Sequence, residues 1–203
     1  MFEWILHVIE VGGYVGIFSL MVLENLFPPI PSELIIPLAG FAAAKGDLNI
    51  FGVLIATVLG GLVGGLPWYI LGRIYGLQRL KSLTFRFGRI MGLSADDVDG
   101  AHSWFKKHGH LAVLFGRLVP TVRTLISVPA GMAKMPLATY LLYSLIGTTM
   151  WTALLLFLGY ILESQYQTMG VYIGHISNVV VIAFVSIYLY RVITYKNVDT
   201  KEV

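Results

Sequence analysis

Glu24, Glu33, Arg117 and Arg123 are the residues of this 203-residue chain whose types and spacing invite chemistry. Glu24 and Glu33 bound the stretch Glu24-Asn25-Leu26-Phe27-Pro28-Pro29-Ile30-Pro31-Ser32-Glu33, which lies between two apolar runs. Pro28, Pro29 and Pro31 remove three backbone donors and fix three φ angles, so the backbone is expected to break there. Arg117 and Arg123 stand on either side of Pro120, inside another apolar region. A planar guanidinium offers bidentate hydrogen bonds to phosphate. Six residues of separation do not place two side chains on one helical face, but a break at Pro120 can turn both toward one pocket. Two uses of the four groups are open. The arginines recognise phosphate, or they pair with the acids to neutralise charges that cost about 2.5 to 3.5 kcal/mol each at mid-membrane. The uses are compatible if the acids hold the arginines until phosphate displaces them. A carboxylate's proton affinity rises on burial and falls beside a guanidinium, so such an exchange would let Glu24 or Glu33 load and release a proton. The plainer reading of residues 24–33 is a loop at the membrane surface.

The elements that must carry these groups follow from composition. Only 12% of the residues are charged and 57% are hydrophobic, against about 25% charged in soluble domains. With a mean hydropathy of +0.78, 22 glycines and 11 tyrosines, the chain reads as one polytopic helical membrane domain over 1–203. The net charge of +3 is small and the basic residues cluster in loops, which excludes nucleic acid as a partner. Association with further copies of the chain is left open. Cysteine is absent, which removes thiolate metal sites and cysteine nucleophiles. The start, with Glu3, His7 and Glu10, lacks the features of a cleaved signal peptide and is expected to be retained.

Along the chain, the short apolar runs 11–23 and 34–44 form a re-entrant hairpin broken at Pro28 and Pro31. The uncharged stretch 48–72 follows as a spanning helix with a kink expected at Pro67. Residues 77–109 form a basic, water-facing loop with an amphipathic helix capped by Ser94 and Asp97, carrying Val98, Ala101, Trp104 and Phe105 on one side. The run 111–133, interrupted by Arg117, Pro120, Arg123 and Pro129, repeats the hairpin, and 137–162 is its spanning helix. A last spanning helix covers about 170–191. The positive-inside rule puts the basic loop and the carboxyl tail in the cytoplasm. Pro37-Leu38-Ala39-Gly40-Phe41-Ala42 is echoed by Pro129-Ala130-Gly131-Met132-Ala133, and Gly60 and Gly72 are twelve apart, as are Gly147 and Gly159. The expected fold is therefore an all-α polytopic membrane protein of two inverted-topology repeats, about 11–76 and 110–163. Each is a re-entrant hairpin followed by a spanning helix, and inverted halves of this kind build midplane transport sites.

Other groups give weaker signals. His102, His108 and His110 read as interfacial histidines ahead of a pH sensor, and no third ligand in sequence supports a metal site. Gly60, Gly61, Gly64 and Gly65 read as a close-packing face, since the Lys-Ser/Thr ending of a phosphate-binding loop is missing. Neither lipid-phosphatase motifs nor a convincing Ser, His and Asp set is present, so no enzyme and no cofactor is expected.

Four pieces of the sequence resemble the DedA family of integral membrane proteins, also called the SNARE-associated Golgi protein or VTT-domain family. They are Glu24 to Glu33, then Trp68-Tyr69-Ile70-Leu71-Gly72-Arg73, then Phe115-Gly116-Arg117-Leu118-Val119-Pro120-Thr121-Val122-Arg123-Thr124, then Pro129-Ala130-Gly131-Met132. Their order covers roughly residues 15–165. The family's acidic motif falls on Glu24 and Glu33 and its paired arginines on Arg117 and Arg123. Many members carry an acid where this chain has Gly65, so any role of that acid does not transfer. The resemblance implies a lipid transporter of the bacterial cytoplasmic membrane that returns undecaprenyl phosphate across the bilayer, coupled to a proton or sodium gradient. Scrambling of other phospholipids, or proton-coupled transport of a small ion, are the alternatives.

Overall fold

The computed structural model describes residues 2–26, 32–91, 95–119 and 122–161, with the backbone alone at 2, 77–91, 95–98 and 101–102. Pro28, Pro31, Pro120, Ser94 and the helix expected at 170–191 lie outside the described residues, as does the side chain of His102. Among the described residues the regular structure is all helical: α1 (Phe2–Leu26), α2 (Ser32–Ala44), α3 (Ile50–Met91), α4 (Ala95–His108), α5 (His110–Arg117), α6 (Ser127–Met132) and α7 (Leu137–Ile161). Among the described residues three segments are long and apolar enough to cross a membrane, Glu3–Leu26, Ile50–Gly76 and Leu137–Ile161.

These helices are arranged for lipid outside and polarity inside. On α3, Phe51, Ile55, Leu59 and Val63 recur every four residues and are exposed, while Gly60, Gly61, Gly64 and Gly65 face inward. On α7, Leu142, Ile146, Met150, Leu154 and Phe157 are exposed, whereas Tyr140, Ser144, Gly147, Thr148 and Thr152 are buried. A water-soluble helix shows the opposite pattern. So much exposed apolar surface needs hydrocarbon around it.

Two glycines with matching backbone angles divide the helical run differently from the expectation. Gly13 (φ 51°, ψ −132°) interrupts α1, and Gly109 (φ 57°, ψ −133°) separates α4 from α5. Positive φ is strained for any residue with a Cβ, which is why glycine stands at both places. The bend at Gly13 is sharp enough that a Cβ on Gly16 would strike the carbonyl of Val8. The segment before Gly13 thus packs back on α1, with Ile5 and Ile9 buried and Glu3, His7 and Glu10 exposed. The helical path of α3 runs through Pro67, and its non-helical residue is Gly76 (φ 63°). On α4, Phe105 is buried beside Val113, Ile126 and Tyr140, but Trp104 is exposed, since successive helical residues point about 100° apart.

Close helix crossings recur in matched pairs. A Cβ on Gly40 of α2 would meet Leu156 O, Tyr160 N and Gly159 C of α7. A Cβ on Gly131 of α6 would meet the corresponding atoms of α3, Tyr69 O, Arg73 N and Gly72 C. In the same way Gly60 of α3 abuts Phe18 O and Met21 Cβ of α1, and Gly147 of α7 abuts Leu114 O and Arg117 Cβ of α5. The glycines spaced alike in sequence therefore make like contacts in space, and each short helix rests on the long helix of the other half. Both short helices end alike. Gly46 and Lys134 have positive φ, and the following N–H groups of Asp47 and Met135 donate to Ala42 O and Ala130 O.

Candidate functional site

The glycine face of α3 is the wall against which the polar side chains gather. Gly64 lies against Asn25 of α1, Gly61 against Thr148 of α7, and Gly65 against Arg117 of α5 and Tyr140 of α7. Side chains at those glycines would fill the ground the polar groups occupy.

Glu24 stands in the last turn of α1, where the negative end of the helix opposes a carboxylate. It is offset from both sides. Arg123 Nη2 donates to Glu24 Oε1 in an ion pair whose members are only 5% and 6% exposed, and Asn25 Nδ2 donates to Glu24 Oε2 at 2.8 Å. The end of α1 is itself held by protein. Asn25 Nδ2 donates to Met21 O at 2.9 Å, and Trp68 Nε1 of α3 donates to Asn25 O at 2.8 Å. A helix that stops inside an apolar medium must have its last carbonyls satisfied this way. Trp68→Phe removes that donor and is expected to cost about 1–3 kcal/mol. Thermal unfolding in detergent reads this directly, and an unchanged midpoint would show that the cap contributes nothing.

Arg117 is held on different terms. It is 3% exposed, at the carboxyl end of α5, where a cation is favoured by the helix dipole. Its Nη2 donates to Tyr140 Oη at 2.8 Å and, more weakly, to Ser127 Oγ at 3.4 Å. Tyr140 Oη lies 2.9 Å from Ser127 Oγ and 3.3 Å from Gly65 O, so its one proton is shared between those acceptors. Among the described residues the Nε–H of Arg117 has no partner and no ion pair joins Arg117 to an acid. Gly65 accounts for this. A Cβ there would lie 2.6 Å from Arg117 Nη2, so an acid at this position would meet the guanidinium, and this chain has none to offer. Behind Tyr140 the site continues as a stacked ring pair with Tyr69, centroids 4.5 Å apart. Arg73 Nη1 donates to Tyr69 Oη at 2.6 Å and to Met135 O at 3.1 Å.

Of the acids expected to face the arginines, Glu24 meets Arg123, while Glu33 is exposed and forms no ion pair with either arginine among the described residues. Helical phase explains the difference: in the first turn of α2, Ser32, Leu34, Ile35 and Ile36 take the buried positions. Pro37, four residues on, leaves the carbonyl of Glu33 without its helical donor. Pro129 sits in the first turn of α6, where a missing N–H costs nothing. His108 Nδ1 lies 2.9 Å from Trp104 O, and His110 packs on Tyr143, both away from the arginines. Reading the sequence by charge missed Ser127, Tyr140 and Asn25. One signal was present, the hydroxyls at 140, 144, 148 and 152, spaced by four in an otherwise apolar run.

Comparison with known proteins agrees with this architecture. The VTT domain model matches residues 30–161. A Lactococcus lactis subsp. lactis protein named alkaline phosphatase-like protein is 36% identical over 96% of this chain and 92% of its own length. Undecaprenyl phosphate transporter A of Staphylococcus aureus is 34% identical over 90% of each chain. Protein DedA of Escherichia coli is 26% identical over 79% of this chain and 78% of its own. No solved structure matches the chain. A chain whose described residues form only helices, three of them with segments able to cross a membrane, and which this domain matches over most of its length, belongs to the DedA, or VTT-domain, family of multi-pass membrane proteins.

Proposed function

We propose that the chain moves a phosphate-bearing lipid, undecaprenyl phosphate first among the candidates, across the bacterial cytoplasmic membrane, together with a proton. The observation that carries the reading is Arg117, a buried cation that among the described residues makes no ion pair with an acid and whose Nε–H has no partner, beside a second arginine that an acid already holds. A phosphate monoester has the charge and the acceptor oxygens that Arg117 lacks. On arrival it draws Arg123 from Glu24, and Glu24, left in apolar surroundings, takes up a proton. Departure of the lipid restores the ion pair and releases the proton. We assign Glu33, exposed at the start of α2, the role of a second proton carrier. The name carried by the Staphylococcus aureus relative supports the choice of lipid.

The matched glycine crossings support two inverted repeats, with residues 14–26 and α2 as one re-entrant hairpin and α5 and α6 as the other. At about 1.5 Å per residue, residues 14–26 reach about 20 Å, short of the roughly 30 Å hydrocarbon core. Cytoplasmic placement of the basic loop follows from its charge.

The test is transport of undecaprenyl phosphate into vesicles carrying the purified protein, with and without a pH gradient. Wild type is expected to respond to the gradient, Arg117→Gln to lose at least about 100-fold in rate, the loss of one strong charge-assisted contact, and Glu24→Gln to lose the pH response. Equal transport by all three overturns the reading. Release of inorganic phosphate that depends on Ser127 would favour an enzyme instead.

A further inference from the structure

The inward face of α7 presents hydroxyls that nothing among the described residues satisfies. Ser144 Oγ, Thr148 Oγ1 and Thr152 Oγ1 are buried and have no hydrogen-bond partner among the described residues. A hydroxyl on an apolar helix commonly donates to the carbonyl four residues back, as Thr57 Oγ1 does to Val53 O at 2.8 Å. The three on α7 do not. Buried polar groups without partners are few in stable proteins, and several on one helix face mark a place that another molecule satisfies.

The chemistry of the unpaired atoms selects the class of that molecule. The three α7 hydroxyls, Ser32 Oγ, Trp151 Nε1 and Arg117 Nε can all donate, and only Asn25 Oδ1 is confined to accepting. The hydroxyls can also accept, so the choice between cation and anion falls to Arg117 Nε and Trp151 Nε1, which can only donate and fit the oxygens of an anion. Their spacing also suits movement. The residues follow Tyr140 at intervals of four, and twelve residues of helix rise about 18 Å, more than half the roughly 30 Å hydrocarbon thickness. The row starts at Tyr140, where Arg117 is anchored, and runs past Thr148, which faces the glycine wall of α3 at Gly61.

We infer that Ser144, Thr148 and Thr152 form a track of donors along which the lipid's phosphate oxygens pass between the Arg117 site and the far half of the membrane. This rests on the phosphate-lipid reading above and adds the route to it. The hydroxyls hand the phosphate from one donor to the next, so that the anion is never bare in the low-dielectric interior, while the prenyl chain stays in lipid.

The paired variant Thr148→Val/Thr152→Val keeps side-chain shape and removes both hydroxyls. In vesicles loaded with undecaprenyl phosphate it is expected to slow transport about 10-fold or more. Its thermal midpoint should equal or exceed that of wild type, because two unsatisfied buried groups are gone. Binding of undecaprenyl phosphate in detergent, followed by tryptophan fluorescence, should persist, since Arg117 is untouched. Thr148→Ser/Thr152→Ser restores the donors and should recover most of the rate. If the paired valines unfold, Ser144→Ala removes one donor with little change of shape and should still slow transport measurably. Wild-type rates in both Thr148→Val/Thr152→Val and Ser144→Ala overturn the track and leave the function standing. A wild-type protein that moves no undecaprenyl phosphate overturns the function, and the track with it.

Discussion

Arg123→Gln, made alone, is expected to destabilise the protein by up to about 3–5 kcal/mol, because Glu24 then loses its counter-ion in a buried site and must take up a proton to remain there. For a chain of this size that corresponds to a fall on the order of 10 °C in thermal midpoint. Glu24→Gln alone strands the arginine and should cost a similar amount. The double variant Glu24→Gln/Arg123→Gln should recover most of the loss, since two amides can hydrogen-bond where two ions were paired and neither charge needs solvation. The response of transport to a pH gradient is expected to be lost in all three. The two readouts therefore part company in the double variant, which is folded but uncoupled. A double variant as unstable as the singles would show that the two residues do not act as a pair.

The second large effect is steric. Gly159→Leu places carbon against the backbone of Pro37, whose Cα and carbonyl carbon would lie 2.6 and 2.8 Å from the new Cβ. Gly72→Leu does the same against Val128, at 3.1 and 3.0 Å. Backbone cannot step aside as a side chain can, so the helices must separate along their length, and the cost exceeds the usual 1–3 kcal/mol or so of overpacking. Both variants are expected to lose the monodisperse peak in size-exclusion chromatography. Gly12→Ala, which nothing approaches within 4 Å, is the control and should behave as wild type.

How much of this was legible in the sequence depended on how local its cause was. The spanning parts of α3 and α7 follow from uncharged runs of sufficient length, and the structure has helices there. The glycine echo was readable as spacing, and its meaning as two crossings emerges only when α2 meets α7 and α6 meets α3. The break in α1 was not readable, because Gly12, Gly13 and Gly16 all allow a bend and only the packing of Ile5 and Ile9 selects Gly13. Pro67 drew attention as a kink for the same local reason that made Gly76 easy to overlook. Within the site, the need to neutralise buried charge correctly pairs acid with arginine, but it does not say which. Glu24 and Arg123 are 99 residues apart, and Glu33 is turned outward by helical phase. Tyr140 and Ser127 were hidden for a different reason: a hydroxyl in an apolar run carries no charge to announce it. The departure at Gly65 was visible, and only its place against Arg117 gives it a consequence.

The crossing of α2 with α7 also sets an order of events during synthesis. Helix α6 emerges after its support, α3, is already in place, so it can dock at once. Helix α2 emerges more than ninety residues before α7, and its 13 residues are too few to span the bilayer while it waits. Until α7 is made, the short helix carrying Glu33 lacks the surface that Gly40 is shaped to meet, and must be held by the insertion machinery or by lipid at the interface. A ribosome stalled before residue 137 should therefore leave α2 open to protease or to a thiol-reactive label at an introduced cysteine, and release of the chain through residue 161 should close it.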